Sequence, residues 1–116
     1  MANWKHLREL VLARCQGYCE FCGLVLTDNF ALHHRKFKSR GGKDEVNNLI
    51  ALHHECHNLG TSSVHMNIKK ATETGHIVSR HAEPNNIPLH LPNGSTVTLT
   101  DEGEYYFIER IEGYGW

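Results

Sequence analysis

The chain has 116 residues, 40% hydrophobic and 22% charged, enough for one compact domain and no obvious second one. Its apolar runs, such as residues 24–26 and 49–52, fall far short of the roughly 20 residues of a membrane span, and the N-terminus has no apolar signal core, which predicts a soluble, cytoplasmic protein. The net charge of −1 hides an asymmetry, because residues 1–80 carry eleven Lys/Arg against seven Asp/Glu while residues 81–116 carry Arg110 alone against six acids.

In chain order, Asn3 is placed to cap a helix whose Trp4, Leu7, Leu10, Val11 and Leu12 recur at helical spacing until Gly17. Cys19 to Gly23 is a tight cysteine turn. Residues 24–26, the turn Thr27-Asp28-Asn29 and the extended segment Phe30 to His34 read as a β-hairpin. A basic loop containing Gly41-Gly42 fills 35–47, Leu49 to Leu52 resumes order, and Ser63 caps a helix from Val64 to about Thr74, stopped by Gly75. Pro84, Pro88 and Pro92 then punctuate a short meander through 88–91, 96–100 and 105–108. Trp4, Tyr105, Tyr106 and Phe107 are read as packing residues; Trp116 is open between packing and base stacking.

A domain this small buries only about two-thirds of its unfolded surface, so a metal or another cross-link would help it fold. Cys19-x2-Cys22 lets two thiolates converge on one centre, and His53-x2-Cys56 repeats the spacing about thirty residues on. Cys19, Cys22, His53 and Cys56 thus make a closed Cys3His set suited to structural zinc, with Cys15 as the substitute ligand. A disulfide would need an oxidising compartment. A Cys2His2 finger fails, because His33 and His34 are adjacent and follow Cys22 after ten residues. The zinc-protease pattern fails because Asn58 stands where its second histidine belongs.

Ten histidines, five of them between His33 and His57, call for a different arrangement. Neighbours on a strand point to opposite faces, so of His33 and His34 one can bind a metal while the other faces a substrate water. The remaining histidines His54, His76, His81 and His90 read as surface residues. Arg35, Lys36, Lys38, Arg40 and Lys43 fall inside nine residues, a density able to meet several phosphates, against the plainer reading of a solvated loop.

The segment Leu32-His33-His34-Arg35, Gly41-Gly42, Asn48-Leu49, Leu52 and Cys56-His57 resembles the HNH endonuclease family, over about residues 15 to 66. Cys-Glu-Phe-Cys-Gly at 19–23, His-His-Arg at 33–35 and Ile-Val-Ser-Arg at 77–80 are similar to small HNH proteins of tailed phages and prophages. The resemblance implies an α+β fold: a small ββα-metal (HNH, His-Me finger) core with a zinc knuckle over residues 1–80, including the N-terminal helix, and an acidic β-meander over 81–116 packed on the same domain.

It further implies a metal-dependent DNA endonuclease leaving 5′-phosphate and 3′-hydroxyl ends. His34 would be the general base, Asn48 would position the loop, and His33 and His57 would hold the catalytic divalent ion (Mg2+, Mn2+, Ni2+ or Zn2+). His65 comes four residues later than in phage relatives; on one unbroken helix it would lie about 12 Å from His57, and only a break at Gly60 brings it within reach. Arg35 and Lys36 would grip the scissile or adjacent phosphate, and Lys38, Arg40 and Lys43 the flanking backbone. The expected partners are DNA and, through the phage resemblance, packaging (terminase) proteins, with host cytoplasm as the location if a phage encodes the chain. A non-catalytic zinc module binding DNA or protein is the alternative.

Overall fold

The structure is a computed structural model that describes residues 3–111; Trp116 lies outside them. Helix α1, Trp4–Cys15, begins where the Asn3 side chain accepts a hydrogen bond from the His6 amide (3.1 Å) and ends at Gln16, which takes a left-handed conformation. Its Leu7, Leu10, Val11 and Cys15 pack with Phe30, Val46, Leu49 and Ala51 in one apolar cluster.

The hairpin has a different partner from the one expected. Strand β1, Ala31–His34, pairs antiparallel with β2, Leu49–Leu52, with His34 opposite Leu49. Residues 24–26 form only the single bridge Tyr18 to Val25, and Leu24 and Val25 are exposed. The physical reason is burial: every residue of β2 is buried, with Leu49 and Ala51 against α1 and Ile50 and Leu52 in a second cluster. A strand covered on both faces needs its ladder completed by protein rather than water.

After β2, Glu55–Leu59 form a π-helical turn closed by the Gly60 amide on the Glu55 carbonyl (3.0 Å). The helix expected from Val64 is shorter: α2 spans Ile68–Glu73 and is preceded by Asn67, not capped by Ser63. Its missing first turn has another task, since the amides of Val64 and His65 donate back to the carbonyls of Cys56 and His57 (2.7 and 3.0 Å). Strands β3 (Leu89–His90), β4 (Thr96–Leu99) and β5 (Tyr105–Glu109) form an antiparallel sheet in that order. Leu89, Leu91, Val97 and Leu99 join Ile50, Leu52, Val64 and Ile77 in the second cluster, so the acidic C-terminal segment and the basic N-terminal part share a core.

Two buried polar residues correct the sequence reading. Arg35, expected on a phosphate, is 0% exposed. Lying two residues after His33, it follows the inward face of the strand, and its guanidinium donates to the carbonyls of Gly75, Pro84 and Ile87 (2.8, 2.9 and 2.8 Å) and, at 3.2 Å, Asn47. Burial and the charge of Arg14 lower its pKa to about 9, leaving it protonated at neutral pH. His76, expected at the surface, is buried, with Nε2 donating to the Glu20 carbonyl (2.9 Å) and Nδ1 against the Thr74 hydroxyl (2.8 Å).

Arg35 therefore fastens three loops by one planar group. Arg35→Ala should cost on the order of 3–5 kcal/mol, because carbonyls built around a buried cation lose it. Arg35→Lys should recover little of that, since an ammonium cannot reproduce the guanidinium fork. Urea unfolding of the two variants checks this; midpoints equal to the parent's would contradict the clamp.

Candidate functional site

The cysteine turn and the π-helical turn meet at one point. Donor atoms of Cys19, Cys22, His53 and Cys56 all lie within 4.8 Å of one another, with Cys22 Sγ 3.2 Å from His53 Nδ1 and the Cys22 amide 3.5 Å from Cys19 Sγ. Sulfurs sharing a tetrahedral zinc at about 2.3 Å stand about 3.8 Å apart, so this donor set fits the ion. His53 Nε2 sits 2.8 Å from the Val25 carbonyl, an outer hydrogen bond that leaves Nδ1 with its lone pair for a metal. Burial and the neighbouring Cys19 and Cys22 push the Cys56 thiol up, and burial pushes Cys22 up; a cation would let these sulfurs ionise together. Cys15 is not part of the set. It is the buried last residue of α1, its thiol directed to the Leu12 carbonyl (3.7 Å) and its pKa pushed up to about 12 by burial.

A second donor set lies beside the first. One nitrogen from each of His33, His57 and His65 falls within 4.8 Å of the others, and His57 Nε2 is 3.1 Å from His65 Nε2. Two imidazole nitrogens on one ion stand about 3.3 Å apart, so this set too fits a divalent cation. The chain brings His65 here by reversing at Gly60. A Cβ on that residue would stand 2.7 Å from the Glu55 carbonyl oxygen, so the reversal needs a glycine. His33 Nε2 donates to the His76 carbonyl (2.8 Å), which leaves Nδ1 unprotonated. Burial lowers the pKa of His33 to about 3 and, with the His65 and His54 charges, that of His57 to about 4; burial also lowers His65. All three are neutral at pH 7, the form that coordinates metal.

His34 points the other way along the strand, as alternation requires. It is half-buried, with Nε2 2.8 Å from Asp44 Oδ1 and its ring edge-on to Trp4 at 5.9 Å. Asn48 closes the strand end. Its Oδ1 accepts from the Lys36 amide (2.7 Å), and its Nδ2 donates to the carbonyls of Lys36 and Lys43 (3.0 and 3.1 Å). The side chain thus extends the β1–β2 ladder beyond the backbone and pins both ends of the basic loop.

That loop does not present its cations equally. Arg35 is buried, and the Lys36 side chain is only 9% exposed, 3.8 Å from Glu83. The Lys38 side chain is 63% exposed, and Lys43 is exposed as well. The Arg40 guanidinium lies 4.6 Å from the Phe37 ring, and Phe37 stacks on His65 at 5.3 Å, so an aromatic wall links this cation to the histidine set. Phe37, Asp44 and the His76 carbonyl escaped the sequence reading. The acid inside a basic run beside Gly41-Gly42 was the available signal for Asp44.

With this geometry in place, residues 15–63 match the model of the HNH endonuclease family. The match takes in the cysteine set, β1, β2 and His57, and leaves α1, His65 and the C-terminal sheet outside. Neither a curated protein nor a solved structure matches the chain significantly. Among the described residues no helix is long and apolar enough to cross a membrane.

Because the two donor sets are separate, their losses should differ. Cys56→Ser should release zinc and melt the domain, since metal binding there is folding energy. Gly60→Ala should keep one equivalent of zinc but weaken a second divalent ion about tenfold or more by displacing His65 from His57. Metal analysis after dialysis, with Ni2+ titration of the Gly60 variant, checks this; unchanged Ni2+ affinity would contradict the role given to the chain reversal.

Proposed function

We propose that this chain, as an HNH domain protein, is a metal-dependent DNA endonuclease that hydrolyses phosphodiesters to 5′-phosphate and 3′-hydroxyl ends. The observation that carries the reading is the convergence of the His33, His57 and His65 nitrogens within 4.8 Å, next in the chain to a half-exposed imidazole. A divalent ion held there would supply positive charge to the non-bridging and leaving oxygens of a phosphodiester. His34 would take the proton from the attacking water. Asn48 would keep the strand end carrying His34 in register with β2, and His33 would be oriented by its bond to the His76 carbonyl.

Lys38, Arg40 and Lys43 would hold the flanking backbone, a set of contacts that carries no sequence information. Cys19, Cys22, His53 and Cys56 would hold structural zinc. The phage proteins that the sequence resembles suggest DNA processing or packaging, beside terminase proteins, as the setting.

Incubating the protein with supercoiled plasmid and Mg2+, Mn2+, Ni2+ or Zn2+ tests the reading; nicked or linear product that ligase reseals without end repair is expected. His34→Ala should lower the rate by about 10²- to 10⁴-fold while leaving zinc content and DNA affinity near the parent's. DNA binding with no cleavage under any ion would favour the non-catalytic zinc module instead. On affinity, replacing both Arg40 and Lys43 by Ala should flatten the slope of log K against log salt by about 2, from −0.9 per phosphate contact. The slope should flatten equally on two unrelated duplexes, and an unchanged slope would return the loop to a solvated surface.

A further inference from the structure

We propose that Asp44 is the positioning residue of His34, selecting the tautomer in which Nδ1 is left to accept a proton. The inference rests on the nuclease reading for its consequence but not for its geometry. A carboxylate offers only acceptor sites and a neutral imidazole only one N–H, so the 2.8 Å contact between His34 Nε2 and Asp44 Oδ1 requires the proton on Nε2. Nδ1 then keeps the lone pair.

The surroundings hold this arrangement. Lys38 Nζ lies 3.4 Å from the other oxygen, Asp44 Oδ2. The His34 hydrogen bond and then this cation hold the Asp44 carboxyl below its ordinary value, so it stays ionised at neutral pH. Trp4, at the start of α1, sets its ring edge-on to the imidazole at 79°. Among the described residues His34 pairs with Asp44 directly and with Lys38 through it, beside the uncharged indole of Trp4 from α1. Asp44 comes from the loop whose ends Asn48 ties down, two residues after Gly42, where a Cβ would stand 1.8 Å from the Lys36 carbonyl oxygen. The tight reversal there is what brings an acid from the far end of the loop back to the strand.

A carboxylate that fixes an imidazole tautomer acts on the rate of proton transfer more than on binding. Its removal should appear in kcat rather than KM. Asp44→Asn keeps the shape but can offer an N–H, which favours the opposite tautomer with Nδ1 protonated. Asp44→Glu keeps an acceptor.

Two readouts on the zinc-loaded protein decide the matter. Long-range ¹H–¹⁵N correlation of ¹⁵N-histidine protein, at a pH about 1.5 above the ordinary histidine value, should show His34 protonated on Nε2 in the parent and in Asp44→Glu. Asp44→Asn should shift it toward Nδ1–H. In single-turnover plasmid cleavage Asp44→Asn should lose on the order of 10²-fold or more in rate at unchanged DNA affinity, and Asp44→Glu should restore most of it. A parent spectrum with His34 protonated on Nδ1, or Asp44→Asn cleaving within threefold of the parent, would overturn the proposal. If the parent itself cleaves nothing, the nuclease reading fails, and the parent and Asp44→Asn spectra still decide whether Asp44 sets the tautomer.

Discussion

Cys56 and His57 are adjacent in the chain and belong to different donor sets, one with Cys19, Cys22 and His53, the other with His33 and His65. A single π-helical turn, Glu55–Leu59, therefore serves two centres, and its geometry must satisfy both. The amides of Val64 and His65 bond back to the carbonyls of these same two residues, so the segment bringing in the third imidazole is fastened to the turn rather than continuing it as a helix. An eight-residue separation along an unbroken α-helix spans about 12 Å; the reversal at Gly60 reduces it to a 3.1 Å contact. On this account the cysteine set does more than hold a small domain together. A zinc ion on it would also fix the turn from which His57 projects.

The strand end opposite that turn is held by polar groups placed inside. Arg35 ties four carbonyls from the loops at 47, 75, 84 and 87, and Asn48 continues the ladder by its side chain. Buried groups of this kind stabilise only when their hydrogen bonds are nearly complete, and here each nitrogen of Arg35 has an acceptor. The basic loop thus divides by strand parity and loop geometry into structural and surface cations. Arg35 and Lys36 turn inward; Lys38 and Lys43 face solvent, and Arg40 lies along Phe37. A cluster of positive charge along the sequence is in space a clamp and a separate surface set.

Much of this was legible in the chain, for identifiable reasons. The cap at Asn3, the cysteine spacing and the alternation of Thr96 to Leu99 are local signals, and the structure has a helix from Trp4, a donor cluster that includes Cys19 and Cys22, and a strand at each of those places. The pairing of β1 with β2 across fifteen residues was not local, and the apolar run at 24–26 offered a nearer but wrong partner. His33 and His34 lie on opposite faces of β1, as alternation requires, but the same rule carried two residues further would have turned Arg35 inward. His76 looked superfluous because its use is to receive His33 on its carbonyl and to reach Glu20; backbone acceptors leave no mark in sequence. Asp44 stands as an acid among bases, where net charge averages away its contact with His34.

The central claim is that two metal sites of different chemistry share one turn, and stepwise Co2+ titration of the metal-free protein tests it most directly. The account predicts two equivalents bound, with sulfur-to-metal charge-transfer absorption growing during one equivalent only, from Cys19, Cys22 and Cys56. The other equivalent should bind without thiolate absorption and should disappear in His57→Ala, which keeps the thiolate signal. A single equivalent, or a thiolate signal lost together with the histidine site in His57→Ala, would contradict it.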